Sequence, residues 1–371
     1  MKKKLRVGII AGGRSAEHEV SLQSAKNIID ALDRDRFEPV LVGIDKNGRW
    51  LLLDSGNFLL DADDPARISL LPSGSPAALL HYAGIVSEAG TPAAVDVVFP
   101  VLHGPYGEDG TVQGLLKTAG IPFVGPSVLS SAAGMDKDVM KRLLRDAGIP
   151  IGKFIALSSH EKIPSFEETA ASLGCPVFIK PANMGSSVGI SKVRNGEEYR
   201  AALEEAFRYD TKIVMEEFIR GRELECAVLG NREPLASLPG EVKPARDFYS
   251  YEAKYLDEKG AVLEIPARLP EETVQEVKAL ALKTFKVLCC EGLSRVDLFL
   301  CEDEGGGSSP VKRPRLFVNE INTMPGFTRV SMYPKLWEAS GVSYTELITR
   351  LIDLAMERFK REQSLKTSAA F

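Results

Sequence analysis

The sequence predicts an α/β protein of two or three domains, and three observations support this class. Its 371 residues are ample for more than one buried core. Strand and helix patterns alternate along the first third of the chain, which is typical of a mostly parallel sheet covered by helices. Beyond that part, further strand and helix signals follow in two more segments, so the remaining chain is also expected to mix α and β structure.

Composition excludes several classes of protein. Apolar residues make up 44% of the chain, charged residues 26%, and the net charge is −5, so neither nucleic acid nor an anionic membrane is an expected partner. No apolar stretch is long enough to cross a bilayer, and the first apolar run is too short for a secretory signal. The five cysteines show no Cys-x-x-Cys spacing, so we expect reduced thiols in a cytoplasmic protein.

The first predicted domain, residues 1–129, carries the alternating elements. Strands are predicted at 5–10, 37–44 and 95–102, and helices at 21–32 and 112–118. The segment 54–92 is rich in Pro, Gly and Ser and shows no regular pattern.

The second predicted domain, residues 130–220, begins with a helix at 136–145. Ser130 or Ser131 is its expected N-cap, and Gly148 with Pro150 ends it. Strands are predicted at 176–180, 189–193 and 213–218, and a helix at 197–209.

The third predicted domain covers residues 221–371. Its strands are expected near 223–229, 235–239, 261–265, 293–300 and 316–322, and its helices at 271–289 and 344–360. The Gly-rich segment 302–310 is typical of a flexible hairpin tip.

Two strands of the third domain carry oxygen ligands where a core strand would carry Val or Leu. Glu320 and Asn322 are two residues apart and project from one face, as do Arg295 and Asp297 on the preceding strand. Adjacent strands could bring Asp297, Glu320 and Asn322 to one spot, and such oxygens suit Mg²⁺ shared with phosphates. The alternative is a pair of edge strands with solvated charges.

A loop of small residues at 180–189 joins two predicted strands. Its backbone N–H groups and the hydroxyls of Ser186 and Ser187 could surround phosphate oxygens, and Lys180 could add an ammonium. It is not a Walker A sequence, and a plain Gly-Ser hairpin is the alternative. Lys137, at the start of a helix, is a second candidate cation, although a lone surface lysine is the simpler interpretation.

Three further segments could complete a site. The strand end at 215–219, with Glu216, could border an adenine, while a nearby carboxylate could hold a ribose; an acidic surface turn is the alternative. The turn at 12–21 contains Glu17, which could hold an ammonium, and His103 in the turn at 103–110 could contact a carboxylate. The segment 241–255 is either a lid or a surface loop.

These pieces together describe an enzyme that phosphorylates a substrate with ATP. The phosphate loop, two lysines, an arginine and a Mg²⁺ set are the parts that phosphoryl transfer needs, because the catalyst must position and neutralise charged oxygens.

Several motifs resemble those of the D-alanine–D-alanine ligases of the ATP-grasp superfamily, over nearly the whole chain. They are residues 12–21, 103–110, 135–137, 180–189, 251–255, 295–297 and 319–326. The resemblance implies an ATP-grasp architecture, in which a Rossmann-like N-terminal domain with a parallel sheet precedes two α+β domains that sandwich ATP. It also implies ligation of two D-alanines through a D-alanyl phosphate, for peptidoglycan precursors.

The resemblance assigns roles to individual residues. Those implied for ATP are Lys137, Lys180, Ser186 and Ser187 at the phosphates, Glu216, Glu217 and Ile219 at the adenine, and Glu223 at the ribose. Asp297, Glu320 and Asn322 would bind two Mg²⁺ or Mn²⁺ ions. Those implied for the substrates are Glu17, Val20, His103, Lys254, Arg295, Gly326, Ser331 and Met332.

Within that substrate set, the resemblance implies distinct tasks. Glu17 would hold the first ammonium, and Glu17, Ser186 and Tyr255 would form a hydrogen-bonded set that closes the lid. Arg295 and the backbone of Gly326 would stabilise the tetrahedral oxyanion. Ser331 and Met332 would hold the second carboxylate.

The resemblance is less direct at Glu217, and two other functions compete with D-alanine ligation. Glu217 stands where relatives often carry a basic residue, so its contact with adenine is in doubt. A D-alanine–D-lactate or D-alanine–D-serine ligase is a close alternative, against which Tyr255 argues. A nucleotide-binding regulator without activity is a third possibility, disfavoured by the intact metal set. A homodimer is expected from the resemblance alone.

Overall fold

The computed structural model describes residues 3–62, 64, 67–80, 84–87, 92–244, 261–301 and 315–366. Lys254, Tyr255 and the predicted hairpin tip at 302–310 lie outside the described residues, as does most of the predicted lid. None of the described helices is both long and apolar enough to cross a membrane.

The N-terminal part is built on a seven-stranded sheet. Its strands are β1 (Leu5–Gly12), β2 (Phe37–Ile44), β3 (Trp50–Leu53), β6 (Ser75–Leu80), β7 (Gly84–Ser87), β8 (Pro92–Ala93) and β9 (Val97–Val101), in the order β8-β7-β6-β3-β2-β1-β9. A separate pair comprises β4 (Leu59–Leu60) and β5 (Ser69–Leu70), and the helices are α1 (His18–Ala31) and α2 (Thr111–Thr118).

This sheet is mixed rather than mostly parallel as predicted. β1 pairs in parallel with β2 and β9, whereas the other neighbours pair antiparallel. The added strands come from the segment that showed no regular pattern. They are short and closely spaced, and such connections allow antiparallel pairing but are too short for a parallel crossover.

Two consecutive helices, α3 (Val128–Met135) and α4 (Lys137–Asp146), lead into the central part. The predicted N-cap is wrong, because Ser130 and Ser131 are buried within α3. The cap of α4 is Asp136, whose side chain accepts hydrogen bonds from the backbone N–H groups of Asp138 and Val139 at 3.1 and 3.0 Å.

The central part is a four-stranded antiparallel sheet in the order β10-β13-β11-β12. The strands are β10 (Phe154–Ser158), β11 (Val177–Pro181), β12 (Ser191–Val193) and β13 (Lys212–Glu217), and the helices are α5 (Phe166–Leu173) and α6 (Gly196–Phe207). β10 and α5 were not predicted from the sequence.

The C-terminal sheet follows the order β17-β16-β14-β18-β19, with β15 beside β14. The strands are β14 (Arg222–Gly230), β15 (Leu235–Ala236), β16 (Gly240–Pro244), β17 (Ala261–Glu264), β18 (Gly292–Cys301) and β19 (Arg315–Asn322). The helices are α7 (Glu271–Val287), α8 (Met332–Ala339) and α9 (Tyr344–Gln363), of which α8 was not predicted.

The end of the chain packs back on the N-terminal sheet. Leu347 and Leu351 of α9 belong to the same buried cluster as Val7 and Ile9 of β1. The Phe327 ring lies edge-on to Phe99 of β9, with ring centroids 5.6 Å apart. The loop between β19 and α8 is therefore fixed against the N-terminal sheet, and this brings the turns after β1 and β9 close to the C-terminal sheet.

Candidate active site

The two strands predicted to carry ligands pair with each other in the register that the hypothesis requires. β18 and β19 are antiparallel, with Arg295 opposite Asn322 and Asp297 opposite Glu320. Directly opposed residues project from the same face of a sheet, so all four side chains share one face. The structure thus brings this set together.

The polar groups on this face are in contact. Arg295 donates from Nε to Asp297 Oδ1 and from Nη2 to Asp297 Oδ2, both at 2.7 Å. Asn322 Nδ2 donates to Asp297 Oδ2 at 3.0 Å. The Lys137 ammonium lies 3.9 Å from a carboxylate oxygen of Glu320. Each carboxylate therefore has a cation beside it.

The donor set suits a hard cation only together with a ligand that brings more oxygens. No group of three or more His, Cys, Asp or Glu side chains in the described part of the chain is placed to hold a metal ion. Asp297 and Glu320 supply two carboxylates and Asn322 an amide oxygen, which is the incomplete, oxygen-only shell of a Mg²⁺ site that shares its ion with substrate phosphates.

A second cluster of charge lies in the central part, around Glu216. Its carboxylate is 2.7 Å from the Lys180 ammonium and 3.2 Å from the Lys141 ammonium, and the three side chains are almost fully buried. Burial opposes ionisation of Glu216, but the two lysines outweigh it and hold its pKa at about 2. Lys141 was not predicted from the sequence; it follows Lys137 by one helical turn and lies on the same face of α4.

The predicted phosphate loop touches both charge clusters. Lys137 donates from Nζ to the carbonyl oxygen of Met184 at 2.6 Å, and burial lowers the pKa of this lysine against the attraction of Glu320. Ser186 and Ser187 have left-handed backbone, with φ of +51° and +62°. Two successive residues of this kind form a tight turn, and backbone N–H groups in a turn can form a concavity that binds anions.

The residues predicted to surround adenine and ribose occupy neighbouring strand ends. Glu217 accepts a hydrogen bond from the backbone N–H of Lys153 at 2.7 Å. Ile219 approaches Gly152 so closely that a Cβ there would lie 2.8 Å from Ile219 Cδ1. Glu223 lies on β14. Burial lowers the pKa of Lys180, but the carboxylates of Glu216 and Glu320 outweigh it and raise this pKa, and Glu223 adds a smaller effect in the same direction.

Glu17 connects the N-terminal part to the phosphate loop. It stands at the N-terminus of α1 and is buried, and its carboxylate accepts a short hydrogen bond from the Ser186 hydroxyl. Gly104 permits this approach, because a Cβ there would lie 2.9 Å from Glu17 Oε2. Two members of the predicted lid set are therefore in contact; Tyr255, the third, lies outside the described residues.

His103 is held in the neutral form in the turn after β9. Its Nδ1 donates to the carbonyl oxygen of Met324 at 2.9 Å, and its Nε2 lies 3.5 Å from the Ser24 hydroxyl. Burial lowers the pKa of the imidazole more than the nearby Glu17 raises it.

Glu108, in the same turn, was not singled out from the sequence. It is buried, and its carboxyl accepts hydrogen bonds from the N–H of Gly104 at 2.9 Å and of Met324 at 3.3 Å. Burial and the neighbouring Glu17 nevertheless raise its pKa to about 8. A signal was available, since the turn at 103–110 contains two adjacent acids, Glu108 and Asp109, in a glycine-rich run.

The N-terminus of α8 faces the same space. Ser331 is the N-cap residue, and its hydroxyl accepts a hydrogen bond from the Thr328 N–H at 2.9 Å. A Cβ at Gly326 would lie only 2.7 Å from Ser331 Oγ, so glycine is the residue that fits at this position, and no side chain of its own covers its backbone. Met332 is the first residue of the helix, and a helix N-terminus favours a carboxylate.

One cleft collects most of these groups. Its lining includes the residues predicted for the substrates and the metal, namely Glu17, His103, Ser186, Arg295, Glu320, Asn322, Gly326, Ser331 and Met332. Glu108 and Glu225, neither of which was predicted, line it as well. Val20 is not part of this lining among the described residues, because it is buried within α1.

Comparison with known proteins places the chain in a family. The family model described as D-ala D-ala ligase N-terminus matches residues 6–126, and the one described as D-ala D-ala ligase C-terminus matches residues 143–353. A curated D-alanine–D-alanine ligase of Oceanobacillus iheyensis is 54% identical over 374 residues and 99% of both chains. D-alanine–D-alanine ligase A of Escherichia coli K12 is 52% identical over 99% of this chain and 100% of its own.

Solved structures agree with this assignment. The D-alanine–D-alanine ligase from Coxiella burnetii has a TM-score of 0.81 at 36% identity and covers 97% of each chain. The VanG D-Ala:D-Ser ligase from Enterococcus faecalis has a TM-score of 0.81 at 35% identity, over 95% of this chain and 100% of its own. An ATP complex of the Bacillus anthracis ligase has a TM-score of 0.70 at 29% identity, over 96% and 99%. The chain therefore belongs to the D-alanine–D-alanine ligase family and has its ATP-grasp fold.

Proposed function

We propose that this protein catalyses the ATP-dependent ligation of two D-alanine molecules to D-alanyl-D-alanine, for peptidoglycan precursor synthesis. One observation carries the proposal. A single cleft is lined by Arg295, Glu320 and Asn322 of the β18–β19 face, by Ser186 of the phosphate loop, and by Ser331 and Met332 at the N-terminus of α8, so a phosphorylated carboxylate and an incoming amino acid can meet there. The names of the two 52–54% identical relatives support the same activity.

The reaction has two steps. An oxygen of the first carboxylate attacks the γ-phosphorus of ATP, and ADP leaves. The amine of the second D-alanine then attacks the acyl carbon, loses a proton, and inorganic phosphate leaves. Activation is needed because an unmodified carboxylate would have to expel oxide, whereas the acyl phosphate expels phosphate. Holding both reactants in one cleft replaces a bimolecular encounter.

ATP would lie between the central and C-terminal sheets. Lys137, Lys180, Ser186 and Ser187 would contact its phosphates, and Glu223 would hold the ribose. Glu216, Glu217 and Ile219 would border the adenine, where Glu216 is now engaged by two lysines. The ATP complex of the Bacillus anthracis relative supports nucleotide binding in this fold.

Two divalent cations, Mg²⁺ or Mn²⁺, would be held by Asp297, Glu320 and Asn322. When bound, they would offset the charge that develops on the transferring phosphoryl group. Arg295 would then be directed at the acyl phosphate, and the Gly326 N–H would complete the oxyanion site.

The two D-alanines would occupy opposite ends of the cleft. Glu17, with Val20 and His103 nearby, would bind the first one. Ser331 and Met332 would bind the second carboxylate at the N-terminus of α8. Lys254 and Tyr255, outside the described residues, would close over both.

The proposal extends to the organisation of the chain. The division at 1–129, 130–220 and 221–371 is supported by one large sheet within each part, beside the short β4–β5 pair of the first. A homodimer is also proposed, and it is consistent with the exposed apolar side chains of Leu129 on α3 and Leu143 on α4.

A coupled ADP-release assay tests the activity. With ATP and Mg²⁺, D-alanine should release ADP and produce the dipeptide, while L-alanine should not. ATP binding without D-alanine-dependent ADP release would contradict the proposal and favour an inactive nucleotide-binding protein.

D-serine and D-lactate belong in the same assay, because a relative of similar fold is named a D-Ala:D-Ser ligase. Preference for D-alanine at neutral pH would support the dipeptide activity. Preferential formation of the serine product or of the ester would instead assign one of those activities.

A further inference from the structure

The guanidinium of Arg295 is shared between two carboxylates. Its Nε lies 2.7 Å from Asp297 Oδ1 and 2.8 Å from Glu225 Oε2. Nε carries a single hydrogen, and that hydrogen bond goes to Asp297. The contact with Glu225 is an ion pair in which a second carboxylate lies beside the same nitrogen.

Glu225 is placed by the sheet rather than by a loop. It lies on β14 directly opposite Asp297 on β18, as Asp297 in turn lies opposite Glu320 on β19. A row of three carboxylates thus crosses three adjacent strands on one face of the sheet. Arg295 extends from the middle strand of that row toward its first two members.

Asp297 cannot keep both hydrogen bonds with Arg295 and also bind a divalent cation. Both of its oxygens are now engaged, one by Arg295 and the other by Arg295 and Asn322. A cation bound to this carboxylate would lie within a few ångströms of the guanidinium, and like charges at that distance repel strongly. Arg295 must therefore give up at least part of its contact with Asp297.

The displaced guanidinium needs another anion, because its side chain is only 17% exposed. A charged group in such a place is costly to leave unpaired. Glu225, 11% exposed, already touches it and is not one of the proposed metal ligands. Glu225 also lines the cleft with Gly326 and Ser331, so a guanidinium held by Glu225 stays beside the second-substrate end.

We propose that Glu225 is a positioning residue, which becomes the main carboxylate partner of Arg295 when Asp297 binds a divalent cation. Asp297 and Glu225 are alternative partners of one guanidinium, so metal binding and the placement of Arg295 are coupled. This inference rests on the proposed function for the identity of the cation site.

The test measures Mn²⁺ binding, through the electron paramagnetic resonance signal of the free ion. The full chain is used with a non-hydrolysable ATP analogue. Glu225→Gln should raise the Kd for Mn²⁺ about tenfold, the size expected when an outer partner of a metal ligand is lost. Arg295→Ala removes the competitor and should bind Mn²⁺ at least as tightly as the unaltered protein.

The decisive comparison is the double variant. With Arg295→Ala present, adding Glu225→Gln should change the Kd by less than about twofold, because the effect acts through the guanidinium. An equal loss in both backgrounds would mean that Glu225 acts only by its charge, and this would overturn the proposal. Unchanged Mn²⁺ affinity in Glu225→Gln, or weaker binding in Arg295→Ala, would overturn it as well.

Two controls keep the outcome interpretable. Thermal unfolding verifies that each variant folds. If Glu225→Gln does not fold, Glu225→Asp replaces it, because aspartate keeps the charge but withdraws the carboxylate from Arg295. This variant should show a smaller loss of Mn²⁺ affinity, and the loss should disappear when Arg295→Ala is also present. D-alanine-dependent ADP release is measured separately. Its absence in a protein that binds Mn²⁺ would refute the proposed function only, whereas failure of the unaltered protein to bind Mn²⁺ would overturn this inference.

Discussion

The ammonium of Lys141 lies 3.2 Å from the carboxylate of Glu216, and both side chains are more than nine-tenths buried. Lys180 contacts the other oxygen of the same carboxylate. The two ammonium groups exceed the single carboxylate of Glu216 by one positive charge. Lys180 can therefore pair with a phosphate while Lys141 still neutralises Glu216. Lys141 is thus the structural member of this cluster.

Replacement of this lysine should be costly. Lys141→Met would leave Glu216 with one partner and lower the free energy of unfolding by about 3 kcal/mol, as removal of one member of a buried ion pair does. Urea unfolding measures the loss, and the exposed Lys153→Met serves as control with little expected change. A loss as small as that of the control would show that Lys180 alone suffices.

Asp297→Asn and Glu320→Gln should affect turnover far more than stability. Each variant removes charge needed for the cation and the phosphates, so ADP release should fall at least about 100-fold. The free energy of unfolding should change by only about 1 kcal/mol, because Arg295 keeps Glu225 as a carboxylate partner and each substitution relieves repulsion within the row of acids. The exposed Glu338→Gln, on α8, should keep full activity. Near-normal turnover in both variants would show that Asp297 and Glu320 are not the metal ligands.

The sequence was most informative where periodicity and ligand chemistry coincide. The two-residue repeat of a strand places Arg295 on the same face as Asp297, and Glu320 on the same face as Asn322. The register of β18 and β19 then brings the two pairs together. The buried partners Lys141 and Glu225 could not be predicted in the same way. Their significance depends on which strand or helix comes to lie opposite, and a single sequence does not contain that information.

Missed elements have local explanations. The strands between residues 50 and 93 are short, and Pro and Gly weaken the alternation on which strand prediction depends. Helix α8 has eight residues and contains Pro334, which resembles a helix breaker but is tolerated because it lies in the first turn. Asp136 was read as helical although it is the cap of α4.

Cys289→Gly should stabilise the protein. Helix α7 ends in a Schellman motif, in which the N–H of Cys290 bonds to the carbonyl of Phe285 and that of Cys289 to the carbonyl of Lys286. Cys289 occupies the left-handed position with φ +54° and is exposed, so glycine would relieve strain without loss of packing. We expect a gain of about 0.5–1 kcal/mol in urea unfolding.

The matched control for that variant is glycine at an exposed position inside the same helix. Lys283→Gly should cost about 1 kcal/mol, because the helix interior penalises glycine. If both substitutions destabilised the protein equally, the strain at Cys289 would be refuted.

Glu108 should make stability depend on pH. The pKa of its carboxyl is raised from 4.5 to about 8 by burial and by Glu17, with a further contribution from Glu320. Between these pH values the folded chain binds a proton that the unfolded chain has lost. The free energy of unfolding therefore falls as pH rises through this window, by at most about 1.4 kcal/mol per pH unit from this group.

Glu108→Gln removes this titration. Glutamine, like the protonated carboxyl, offers one carbonyl acceptor to the N–H groups of Gly104 and Met324, so at pH 5 the variant should be at most about 1 kcal/mol less stable than the unaltered protein. The difference should shrink, or change sign, by pH 8, because only the unaltered protein must then carry a second carboxylate beside Glu17. Urea unfolding at pH 5, 6, 7 and 8 measures both curves, with Glu338→Gln as a control that follows the unaltered protein. Parallel curves for Glu108→Gln would mean that Glu108 is already ionised across this range.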